Sequence, residues 1–139
     1  MTGMRACIDV EDMAAAIAFY TAGLGLEVGR RFADGWVELV GAPIPLDLLG
    51  RPAGSAANPS AESPRRDYRR HWTPVHLDFE VTDLDAAVER VRAAGATVEG
   101  ETGSFAWGRI ARLADPFGHG FCLLEFRGRG NDEVLEAAT

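Results

Sequence analysis

Lysine is absent from this chain of 139 residues: all fourteen of its basic side chains are arginine. A Schiff-base lysine and the lysine of a phosphate-binding loop are thereby excluded. Cysteine is scarce as well. Cys7 and Cys122 stand far apart with no CxxC, which points to free thiols in a reducing compartment rather than to a disulfide framework or a zinc ribbon. Positive charge is in deficit, because 14 bases against 21 acids leave a net charge of −7. Such a field repels a phosphate backbone and an anionic membrane surface, so neither nucleic acid nor membrane is expected as a partner. No apolar run approaches the ~18 residues of a spanning helix, and the N-terminus lacks the blocks of a secretory signal; a cytoplasmic location is expected.

What is present has the balance of a globular protein, with 47% hydrophobic and 25% charged residues and a length suited to one domain over 1–139. The chain also repeats itself. A shift of 71 residues lays Val10-Glu11-Asp12 on Val81-Thr82-Asp83, Ala15-Ala16 on Ala86-Ala87, and Trp36 on Trp107. The matches fall at equivalent points of one pattern. Met4 to Val10 alternates with Ala6, Ile8 and Val10 on one face and Arg5, Cys7 and Asp9 on the other. Val75 to Val81 alternates likewise, with His76, Asp78 and Glu80 on the polar face. Asp12 caps a helix that stops at Gly23 or Gly25, and Asp83 or Asp85 starts a second that stops at Gly95. Strands are expected at Leu26 to Phe32, Trp36 to Val40 and Ile44 to Leu49. In the second half they are expected at Thr97 to Glu101, Trp107 to Ala114 and Phe121 to Phe126.

The chain therefore reads as α+β, with a first βαβββ module at 4–49, a linker or flap at 50–70, a second βαβββ module at 71–127 and a tail at 128–139. Asn131 to Thr139 offers a short terminal helix. Two such modules can bring their polar sheet faces together as a cup for a small molecule, lined from the strand faces away from the helices. Trp36 and Trp107 either wall that cup or close the core, and core packing is favoured. Glu125, three residues after Cys122, falls on the opposite strand face.

The runs Ile8 to Tyr20 with Leu24-Gly25, His76 to Asp85, and Asp115-Pro116-Phe117-Gly118-His119-Gly120-Phe121-Cys122 together resemble the vicinal oxygen chelate superfamily. That superfamily comprises glyoxalase I, extradiol dioxygenases and the fosfomycin- and bleomycin-resistance proteins. The resemblance spans about residues 4 to 127. It implies a sheet built from paired βαβββ modules, commonly a homodimer, and one divalent metal held by His, Gln and Glu side chains from first and last strands. Carried over by position, the ligand set becomes Arg5, Asp47, His76 and Cys122. Arginine cannot ligate, and a permanent guanidinium a few ångströms from a divalent cation costs on the order of a few kcal/mol. Arg5 and Cys122 thus count against a metal, leaving His76, Asp47 and Cys122 as its candidate ligands.

Two functions follow from the resemblance. One is a lyase-, isomerase- or oxygenase-like enzyme acting on a small oxygenated molecule, with His76 and Arg5 as catalytic residues: His76 as general base, Arg5 on the developing oxyanion. The alternative is a non-catalytic binding protein that sequesters a small molecule or antibiotic. Arg5 has a plainer use as the ion-pair partner of a nearby aspartate. Either function places Arg5, Cys7, Asp47, His76, Asp78, Trp36, Trp107 and Cys122 against the ligand.

Overall fold

The computed structural model describes residues 1–136 and divides at Arg69/Arg70 into two compact units. The tail expected to be helical forms only a 3₁₀ turn, Gly130–Val134, and its residues 137–139 lie outside the described part.

The first unit runs β1 (Ala6–Val10), α1 (Met13–Leu24), β2 (Glu27–Phe32), β3 (Trp36–Val40) and β4 (Leu46–Gly50). Its sheet order is β1-β4-β3-β2, with β1 parallel to β4 and the other pairs antiparallel. Asp12 caps α1 by accepting the Ala15 N–H at 3.0 Å. Gly25 ends the helix at φ 69°, a left-handed conformation that a side chain would strain. The buried positions Ala16, Phe19, Tyr20 and Gly23 recur at helical spacing. The core they share holds Val10, Leu39, Leu46 and Leu48.

The 50–70 segment, expected as a linker or flap, packs on this unit through residue 69. Arg66 donates to Asp9 at 2.7 Å, and Tyr68 donates its hydroxyl proton to the Arg51 carbonyl at 2.7 Å.

The second unit runs β5 (Leu77–Glu80), α2 (Leu84–Ala94), β6 (Thr97–Val98), β7 (Gly103–Phe105), β8 (Gly108–Ala114) and β9 (Gly120–Phe126). The order is β5-β9-β8-β6, and β7 also pairs with β8. Expected as one strand at Thr97 to Glu101, this edge is shortened to Thr97–Val98, and a further short strand at Gly103–Phe105 follows it. Its counterpart β2 is continuous but bulged between Val28 and Arg31, so the same edge is irregular in both units. Val75, placed on the buried face by its alternation, is 79% exposed. The ladder with β9 starts only at Leu77, so Val75 lies before the paired part of the strand.

Asp83 caps α2 by accepting from Ala86 at 3.1 Å, and Leu84, Ala87 and Val91 turn into a core with Leu113, Phe121 and Leu123. Glu125 is buried on the helix side, as alternation requires. It accepts the Leu84 N–H at 2.8 Å and hydrogen bonds from Arg109 and Arg127. The Arg109 guanidinium and that helix-start N–H hold its carboxyl at about 2. Among the described residues no helix is long and apolar enough to cross a membrane.

Since each cap accepts a first-turn N–H of its helix, Asp12→Ala and Asp83→Ala should each destabilise by about 1 kcal/mol in urea unfolding. Asp132→Ala in the C-terminal 3₁₀ turn should change little.

Candidate functional site

Each unit pairs its first strand with its last in parallel, and this pairing decides which polar residues meet. In the first unit Cys7 faces Asp47, and Asp47 in turn faces Glu38 on β3. Directly opposed residues share a sheet face, and this row lies on the face away from α1. Arg5, just before β1, joins it. Its Nε and Nη2 donate to Asp47 at 2.8 and 2.6 Å, and Nη2 also donates to Glu38 at 2.6 Å. Arg30 closes on Glu38 from the other side at 2.9 and 2.7 Å. The two acids are almost fully buried, so the pairing provides the compensation that buried charge requires.

The electrostatics follow from these contacts. Arg30 and then Arg5 hold the Glu38 carboxyl at about 2, and Arg5 lowers that of Asp47, with the Trp36 side chain as a further hydrogen-bond donor. Burial, then Asp9, raises the Cys7 thiol. Arg5 thus takes the ion-pair role. Its charge is paired with Asp47 and, together with that of Arg30, with Glu38.

In the second unit Asp78 faces Cys122 across β5 and β9, and His76 stands two residues before Asp78 on the same face. His76 Nε2 lies 3.2 Å from the Asp78 carboxylate. The donor atoms of His76, Asp78 and Cys122 all lie within 4.8 Å of one another. Burial first, then the Asp78 charge, pushes the Cys122 thiol up to about 11, so without a cation it stays protonated at neutral pH. An imidazole, a carboxylate and a thiol form a donor set suited to zinc or a similar divalent ion. The residues present fit such an ion.

The chain matches the glyoxalase-like domain family over residues 5–124. It belongs to that family, and with it to the vicinal oxygen chelate superfamily. An uncharacterized protein of Mycobacterium tuberculosis is 30% identical to this glyoxalase-like chain, covering 93% of it and 77% of the relative. The fosfomycin resistance protein FosX of Listeria monocytogenes shares the fold at 16% identity and a TM-score of 0.72, over 97% of this chain and 99% of FosX. A FosX variant solved with Mn(II) and 1S,2S-dihydroxypropylphosphonic acid gives 18% identity and a TM-score of 0.69, over 91% and 92%.

Against the sequence expectations, the structure gathers Arg5, Cys7, Asp47 and Trp36 on the first sheet and His76, Asp78 and Cys122 on the second. Neither tryptophan joins the core. Trp36, 37% exposed, stacks on Phe32 at 4.2 Å, while Trp107 sits between Phe105 and Phe126, four residues along β9 from Cys122. Trp36 opens β3, and Trp107 ends the two-residue turn between β7 and β8. The sequence reading missed Glu38, Arg30, Arg112 and Trp72. Glu38 had a signal, as the lone acid alternating with Val37 and Leu39.

Stability should carry this network's signature. Carboxyls lowered in the folded state contribute above their unfolded pKa and lose that contribution as pH falls through the folded value. Wild-type stability should therefore drop between about pH 4.5 and pH 2. Arg5→Met should unfold at lower denaturant at pH 7, and its deficit should shrink as pH approaches 2, which a pH series of urea titrations reads directly.

Proposed function

We propose that this glyoxalase-like chain is an enzyme acting on a small oxygenated molecule at the helix-free face of the second sheet, where His76, Asp78 and Cys122 hold a divalent metal ion. The convergence of those three donor atoms within 4.8 Å carries the reading. Arg5 no longer opposes it, because Asp47 and Glu38 take up its charge.

The metal, when bound, supplies Lewis acidity toward the oxygens of the substrate. The chain's own residues prepare the place. β5 and β9 fix Asp78 opposite Cys122, and the Asp78 carboxylate together with the Trp72 ring, nearly perpendicular to the imidazole with the ring centres 5.5 Å apart, sets the orientation of His76. Cys122, protonated without a cation, serves as a ligand rather than as a nucleophile, since a coordinated thiol gives up its proton to solvent. Arg5 maintains the first sheet rather than the reacting oxygens. That a FosX variant was solved with Mn(II) and an oxygen-rich ligand supports the reading. The homodimer implied by the family likeness and the cytoplasmic location expected from the sequence belong to the same proposal.

Elemental analysis of protein purified without chelator or immobilised nickel should find about one divalent metal per chain. His76→Ala and Cys122→Ala should each weaken metal binding at least about 100-fold, beyond the loss usual for a residue that only supports a ligand, with the circular dichroism spectrum unchanged. Metal-free wild type that turns over no oxygenated substrate yet binds one would favour the sequestering alternative.

A further inference from the structure

The row that begins with Asp78 and Cys122 continues one strand further. Arg112 on β8 is the direct partner of Cys122 on β9, so the three side chains share a face, with neighbouring Cβ atoms about 5 Å apart. The Arg112 guanidinium is exposed and makes no side-chain hydrogen bond or ion pair with any described residue. This sets it apart from Arg5, Arg30, Arg66, Arg70 and Arg109, each bound to a carboxylate. An unpaired planar cation beside a set of metal-type donors lacks an acidic partner, and a carboxylate matches its fork.

A second feature borders the same donors. The Trp72 ring lies over Gly120, two residues from Cys122 on the same face, so closely that a Cβ there would come within 2.5 Å of it. The ring is held by its Nε1–H donating to Glu99 at 2.9 Å and by the Arg70 guanidinium 4.8 Å above it. The Glu99 N–H in turn donates to the Arg112 carbonyl. Trp72 remains 43% exposed, a fixed flat apolar surface beside the site.

We infer that Arg112 binds the carboxylate of the substrate while Trp72 flanks its apolar part, so that the site takes a small carboxylic acid bearing a flat apolar or aromatic group. This rests on the reading of the second sheet face as the reaction site. It names the substrate class and a binding residue that the family's metal positions do not include.

The test is calorimetric titration of the full chain, zinc-loaded and EDTA-treated, with mandelate, a phenyl-bearing acid whose hydroxyl neighbours its carboxylate. Its neutral amide, mandelamide, is the control. Wild type should bind mandelate and prefer it to mandelamide. Arg112→Gln should weaken mandelate at least about tenfold while keeping its zinc content, as loss of a hydrogen bond to a charged group implies, and Arg112→Lys should recover part of the loss. Gly120→Ala, which displaces the Trp72 ring, should weaken both compounds and keep the preference. Equal mandelate affinity in wild type and Arg112→Gln, or no binding by wild type in either state, would overturn the inference. The two readings fail separately: a chain without metal whose mandelate binding still needs Arg112 sinks only the metal site, whereas an intact zinc site with Arg112-independent binding sinks only this one.

Discussion

The parallel pairing of first strand with last strand in each unit is the constraint on which the chemistry depends. It sets Cys7 across from Asp47 and Asp78 across from Cys122, residues some forty positions apart in the chain. Parallel strands cannot be joined by a tight turn, so each unit must route its chain through a helix and further strands before the last strand returns beside the first. Because the side-chain period is two, a slip of one residue in either pairing would send the whole polar row into the core beneath the helix. The helices therefore serve the site indirectly. Leu48 and Val10 in one unit, Leu123 and Leu113 in the other, are fully buried and lock the register that the polar residues use.

The two units use the same pieces in opposite senses. Each opposes a cysteine and an aspartate across its parallel pair, but the two exchange strands: cysteine first in one unit, aspartate first in the other. What separates their chemistry is the residue two positions earlier, Arg5 in the first unit and His76 in the second. A guanidinium never gives up its charge and spans two acids at once, so it converts Asp47 and Glu38 into a closed structural network. An imidazole offers a lone pair when neutral, which leaves Asp78 and Cys122 available as donors. One duplicated scaffold thereby divides into a unit that is electrostatically closed and one that is chemically open.

Most of the scaffold was legible in the sequence. The shift of 71 residues found both helices, both aspartate caps and the alternation of Arg5-Cys7-Asp9 and His76-Asp78-Glu80, because these depend on local periodicity and on residues that act within one turn. The break between β6 and β7 was not legible, since Gly100 to Thr102 carries no pattern that distinguishes a loop from a bulged edge. The candidate site was half legible. His76 and Cys122 came from positions equivalent to the family's ligands, and Asp78 from its strand face. The engagement of Arg5 depended on Asp47 and Glu38, which strand pairing brings side by side, and Arg112 acquires meaning only as the partner of Cys122. Trp72 gave no signal, because the partners that hold it, Glu99 and Arg70, and the space it needs at Gly120 come together only in the fold.

A family whose members share this fold but not one reaction places its differences in the few side chains that the paired strands present. Here those are an imidazole, a carboxylate, a buried thiol and an uncommitted guanidinium, and the thiol decides between readings. X-ray absorption at the metal edge of the zinc-loaded protein tests the central assignment most directly. One sulfur at about 2.3 Å with nitrogen or oxygen at about 2.0–2.2 Å, the sulfur lost in Cys122→Ala, is the result predicted; a shell of nitrogen and oxygen alone, unchanged by that substitution, would contradict it.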